Sequence, residues 1–100
     1  MAILAIFTGS VTKDEYDKLV KEIDWKTNWA PGAMFHVASF DDAGGGHVVD
    51  VWESVEKMNA FVEQRLMPAF QKFGFNPPNV EVYPVHNIDS HSSLTQYQRA

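Results

Sequence analysis

Ala33 to Glu53 reads AMFHVASF, then DDAGGG, then HVVDVWE. Two short runs rich in β-branched and aromatic residues flank six residues of turn composition, which is the sequence form of an antiparallel hairpin. Ala33 through Phe40 is therefore predicted as one strand, Asp41 to Gly46 as the turn, and His47 to Glu53 as the returning strand. The three successive glycines do not make a phosphate cradle, because neither a Lys-Ser/Thr pair nor a helix follows them.

Working outward from the hairpin, Ala2 to Thr8 (AILAIFT) is apolar at nearly every position, as a strand buried on both faces would be, and Gly9-Ser10 breaks it. Thr12 with Glu15 three residues on forms a capping box, and Tyr16, Leu19, Val20 and Ile23 follow at helical spacing. A helix is predicted over Lys13 to Ile23. Downstream, Ser54 is a natural N-cap, and Val55, Met58, Phe61, Val62, Leu66, Ala69, Phe70 and Phe73 form a wide apolar stripe closed by Gly74. Pro68 inside that stripe predicts a kink or restart near Leu66 to Met67. After Pro77-Pro78, Val80 to Val85 is the last strand, and Pro84 confines it to an edge or a bulge.

Strand, helix, strand, strand, helix, strand is the split βαβ order of the α+β ferredoxin-like fold: an antiparallel sheet in βαββαβ order with two helices on one face. One domain spans residues 1–86, and residues 87–100 form a polar C-terminal tail that frays or lies across a partner subunit. Strand one is apolar on both alternations, Ile3-Ala5-Phe7 and Leu4-Ile6, so the sheet face away from the helices needs a cover. A homodimer through that face is the economical partner.

Composition bounds the chemistry. The chain has 100 residues, 13 acidic and 8 basic, with a formal charge of −5 that opposes binding to a phosphate backbone. No nucleic acid is expected. Met1 to Phe7 is far short of the ~20 apolar residues of a membrane span, and no signal flank precedes it, so the reading is cytoplasmic with no membrane partner. The absence of cysteine removes disulfides, thiolate metal sites and cysteine nucleophiles. His36, His47, His86 and His91 show no i, i+2 or i, i+4 ligand spacing, and no metal site is predicted. No serine stands in a nucleophile elbow.

Strand alternation separates the hairpin into two sets. Phe35, Val37, Val49 and Val51 suit a helix-packed face against Tyr16, Leu19, Met58 and Phe61. His36, Phe40, Asp50 and Trp52 are then expected on the opposite side, lining a cavity at the dimer interface. There His36 and Asp50 are the candidate catalytic pair, the carboxylate fixing the imidazole tautomer and the imidazole taking a proton from an acidic phenol or α-carbon. The competing reading is a pair that only satisfies buried polar groups at a subunit interface. Trp52, Phe40 and His86 are the candidate ligand contacts, His86 on condition that Pro84 bulges the last strand, since Tyr83 and His86 have opposite parity.

Val48-Val49-Asp50-Val51-Trp52-Glu53-Ser54, a strand ending in W-E-S and feeding a helix with Phe61, resembles the antibiotic biosynthesis monooxygenase-like family of dimeric α/β barrels. The resemblance covers residues 1–86 through the strand order. It implies a ferredoxin-like protomer whose sheets pack face to face in a homodimer, with a pocket between sheet and helices or along the barrel. It also implies small-molecule ligands of aromatic or polyketide-like type, and in some relatives oxidation by O₂ with no cofactor. Other relatives degrade haem. This chain has Val48 where monooxygenase members can carry Asn, and Phe61 near the position of the haem-degrading members' His, so Trp52 alone carries over from the family pattern. The expected function is that of a small-molecule binding protein of this family acting as a cofactor-independent monooxygenase. The alternatives are a non-catalytic ligand-binding or assembly protein and a cofactor-free cyclase or isomerase.

Overall fold

The computed structural model describes residues 1–98. Arg99 and Ala100, the last two residues of the expected tail, lie outside the described residues. Four strands, β1 (Ile3–Gly9), β2 (Ala33–Phe40), β3 (Gly46–Trp52) and β4 (Asn79–Pro84), form one antiparallel sheet in the order β2-β3-β1-β4. Helix α1 (Lys13–Ile23) connects β1 to β2, and a second helical segment connects β3 to β4. This is the expected α+β ferredoxin-like arrangement.

Local chemistry sets each boundary. Thr12 accepts the backbone N–H of Glu15 while the Glu15 carboxylate accepts that of Thr12, so the capping box forms as the sequence predicts. Asp24 ends α1 in the left-handed conformation, φ 56°. The second helical segment starts as α2 (Val55–Phe61), N-capped by the Ser54 hydroxyl at 3.2 Å from the Lys57 nitrogen. It widens into a π-helical turn over Val62–Leu66 and resumes as α3 (Met67–Phe73). Pro68 explains the change: it has no N–H to give to a carbonyl four residues back, and its ring crowds that carbonyl. Widening to a five-residue spacing, with the Met67 N–H on the Val62 carbonyl, absorbs the disruption without breaking the axis.

Two links hold the helical layer to the loop after α1. Arg65, in the π-helical turn, donates to the carbonyl oxygens of Ile23 and Asn28. Gly32 lies against α2 with φ 87°, and a Cβ there would stand 2.6 Å from Lys57 Cβ. Only glycine tolerates both the dihedral and the approach. Its carbonyl accepts the Glu53 N–H at 2.7 Å, fixing the loop at the end of β3.

The strand pairing brings together the residues that the sequence pattern groups, with His36 opposite Asp50, Val37 opposite Val49 and Phe35 opposite Val51. The faces are the reverse of the expectation. Ile3, Ala5 and Phe7 of β1 are buried under the helices, and their β3 partners Trp52, Asp50 and Val48 share that face. His36 and Phe40 follow them. Phe35, Val37, Val49 and Val51 share the far face with Leu4 and Ile6, and Val37 remains 43% exposed. The helix-side core is carried by aromatic residues, Trp52 and Phe7 from the sheet with Trp25 and Phe61 from above it, and not by the aliphatic set of the hairpin.

The last strand lies at the edge of the sheet, one of the two placements expected for a strand containing Pro84. Its pairing with β1 runs without a break from Thr8 opposite Asn79 to Ile3 opposite Pro84, so Pro84 ends the strand without a bulge. His86 falls beyond it and is exposed. The tail contains a short 3₁₀ turn, Ser92–Tyr97, capped by the His91 ring on the Ser93 N–H at 3.0 Å. Among the described residues no helix is long and apolar enough to cross a membrane.

Candidate active site

Between the helix-side face of the sheet and α1 lies a cavity of about 90 Å³. Its walls are mostly apolar, with Phe7 and Val48 from the sheet, Leu19 and Val20 from α1, and Leu66 and Phe70 from the second helical segment. The lining residues that carry side-chain polar groups are Tyr16, Trp25, His36 and Asp50, and three of them are bonded to one another. An apolar cavity with a few convergent polar groups is the usual form of a small-molecule site.

Those three form one hydrogen-bonded chain. His36 Nδ1 stands 2.7 Å from Asp50 Oδ1, and Asp50 Oδ2 accepts the Trp52 indole N–H at 3.2 Å. On the other side of the ring, Nε2 of His36 is 2.7 Å from the Tyr16 hydroxyl. A carboxylate only accepts, so it assigns the imidazole proton to Nδ1 and leaves the Nε2 lone pair to accept from Tyr16. Trp25 packs on the His36 ring with centroids 5.0 Å apart, and Trp25, Trp52 and Phe61 meet one another at 5.2–6.4 Å. Asp50 is 4% exposed. The Asp50 carboxylate is thus held on both oxygens, by the imidazole and by the indole N–H.

The five residues singled out from sequence have separate fates. His36 and Asp50 come together as a bonded pair, though in the cavity under the helices and not at the far sheet face. Phe40 lines the same cavity, edge-on to Tyr16 with centroids 5.6 Å apart. Trp52 is fully buried behind Asp50 and supports the carboxylate instead of forming the cavity wall. His86 takes no part in the cavity, because the unbulged β4 ends before it. Tyr16 is the residue that sequence reading assigned to packing alone, since its helical spacing is equally that of a core residue. A phenol on the apolar face of a helix, opposite a strand carrying a histidine, was the available signal. Trp25 was not signalled, because it belongs to an irregular segment after α1.

A second histidine–carboxylate pair caps the β2–β3 turn. His47 Nε2 lies 2.8 Å from Asp41 Oδ2, and Asp41 Oδ1 accepts the Gly45 N–H at 2.9 Å. The His47 hydrogen bond, followed by that of the Gly45 backbone, holds the Asp41 carboxyl below its ordinary value of 3.8. Both side chains are about half exposed, and the pair serves the turn. Among the described residues no group of three or more His, Asp or Glu side chains is placed to hold a metal.

The sheet order, the single helical layer and the site under it define an α+β protein with the fold of the antibiotic biosynthesis monooxygenase-like proteins. The structure is similar to that of Rv0793 from Mycobacterium tuberculosis, with a TM-score of 0.66 at 13% identity over 90% of this chain and 100% of that one. It is similar also to a putative antibiotic biosynthesis monooxygenase from Deinococcus radiodurans, TM-score 0.63 at 13% identity over 89% of this chain and 97% of that one. A third likeness is to a putative antibiotic biosynthesis monooxygenase from Chloroflexus aurantiacus, TM-score 0.62 at 17% identity over 89% and 98%. No protein-family model and no curated protein matches the sequence.

Proposed function

We propose that the protein binds a small aromatic ligand bearing an acidic O–H in the cavity under the helices and oxidises it with O₂, without a cofactor. His36 is the base and Asp50 the carboxylate that orients it. The observation that carries this reading is the His36–Asp50 pair, bonded at 2.7 Å on the wall of an otherwise apolar cavity. Removing the ligand's proton leaves an electron-rich phenolate, the form that O₂ oxidises. For a phenol going to a quinone the balance closes: one oxygen atom enters the ring, the other leaves as water with two hydrogens, and the ligand supplies all the electrons. The cavity volume is of the order of the ~150 Å³ apolar cavity that takes up benzene, which favours a single ring over a fused polycycle.

Oxygen uptake with a panel of phenols and hydroquinones tests the reading. The expected result is uptake matched by quinone formation, abolished in His36→Ala. A protein that binds the ring but consumes no O₂ would replace oxidation by proton transfer alone, a cyclisation or isomerisation on the same base. Binding without either reaction would leave a ligand-binding protein.

A homodimer through the far sheet face belongs to the same proposal. Leu4, Ile6, Phe35, Val37, Val49 and Val51 make the centre of that face apolar, with Thr8, Ser39, His47, Glu81 and Tyr83 around them. An antiparallel sheet wetted on one side ordinarily carries polar residues there.

A further inference from the structure

Tyr16 and His36 both line the cavity, and the Tyr16 hydroxyl occupies the proton-accepting atom of His36. Asp50 occupies Nδ1, so Nε2 is where the ring receives a proton, and Tyr16 is 2.7 Å from it. The tyrosine ring lies within 7° of parallel to the imidazole, edge-on to Phe40, and forms part of the cavity wall. For a ligand to reach Nε2 directly, Tyr16 would have to give up both the hydrogen bond and the Phe40 contact. A transfer through the hydroxyl needs no such movement.

We propose that Tyr16 is a catalytic residue of this site, meeting the ligand's acidic O–H and relaying its proton to His36. The inference rests on the reading of the cavity as a site of proton abstraction. The ligand O–H donates to the tyrosine oxygen, which takes that proton as its own passes to Nε2. The imidazolium so formed keeps its Nδ1–H on Asp50, whose carboxylate offsets the charge. The tyrosine O–H, now carrying the ligand's former proton, already points at the new oxyanion and donates to it. One O–H bond breaks on the ligand, one N–H bond forms on His36, and Tyr16 ends as it began. The relay selects ligands with a hydroxyl placed to meet the tyrosine over those with only an apolar ring.

The test uses 4-nitrophenol, whose yellow anion reports ionisation by absorbance, and the variant Tyr16→Phe, which removes one oxygen and keeps the ring. The wild type is expected to bind the probe and ionise it at a pH where free probe is mostly neutral. Tyr16→Phe is expected to retain binding, followed by quenching of tryptophan fluorescence, with the ionised fraction lowered at least tenfold. Equal ionisation by the variant overturns the relay while leaving the cavity reading in place. A wild type that binds no phenol fails the cavity reading and takes the relay with it. Should Tyr16→Phe not fold, 3-fluorotyrosine incorporation keeps the shape but makes the hydroxyl more acidic. A relay then shifts the pH dependence of probe ionisation, and an unshifted profile overturns it.

Discussion

The two faces of the sheet are built from neighbouring residues of the same strands and have opposite characters. Under the helices, β2 and β3 present a histidine, a carboxylate and a tryptophan, of which Trp52 is fully buried and Asp50 is 4% exposed. On the far side the same strands present Phe35 and Val37, which are 37% and 43% exposed. Residue polarity alone therefore misjudges which face meets the helices. A polar group is stable in a core when its partners are there, and the helical layer brings Tyr16 to the His36–Asp50 pair while the sheet itself brings Trp52. The far face is uneven, with Val51 6% exposed at its centre and Val37 open at its side.

Substitutions on the two faces should separate accordingly. The largest effect is expected for Trp52→Ala, which empties a fully buried site among Trp25 and Phe61. A loss of about 3–5 kcal/mol in guanidinium unfolding is expected. His36→Ala should abolish turnover at a smaller stability cost, about 1–3 kcal/mol, because Asp50 keeps the Trp52 donor while losing one partner. A variant that melts as early as Trp52→Ala yet still binds and converts ligand would make the pair structural and erase the functional contrast. On the far face, Val37→Lys should convert a sedimenting dimer to monomer with the protomer's stability changed by no more than about 0.5 kcal/mol. A wild-type protein that sediments as a monomer at micromolar concentration would remove the contrast from the other side. The smallest effect concerns the exposed turn at the end of the hairpin. His47→Ala should let the Asp41 carboxyl rise toward its ordinary value, as read by carbon NMR titration. Because the folded-state value is depressed, the turn's contribution is present above pH 3.8 and is lost as pH falls through the lower folded value.

The elements themselves were legible. The T-x-x-E box predicted α1, and both of its reciprocal bonds are made. The repeat of apolar residues from Val55 to Phe73 predicted a helical segment with an interruption at Pro68, which takes the form of the π-helical turn. The pairing of His36 with Asp50 was also legible, because both are polar intruders at matching positions of a hairpin whose other residues pair aliphatic with aliphatic. His86 was misplaced for a local reason: the effect of a proline at a strand end depends on whether the ladder bulges or stops, and the residues alone leave both open.

What the sequence by itself determined is therefore the order of the elements, their ends and the company His36 keeps across the hairpin. These depend on interactions between residues close in sequence or held in register by one turn, and capping and alternation express them directly. The tertiary structure decided which side of the sheet that company faces and that Tyr16 and Trp25 complete it. In a strand that is apolar on both alternations the period of two carries no sign, since either face would bury its side chains equally well. The sign comes from the volume and hydrogen-bonding capacity of what lands on top. Trp25, Phe61 and the Tyr16 hydroxyl belong to segments outside the hairpin, and their meeting with His36, Asp50 and Trp52 exists only once the helices have docked on the sheet.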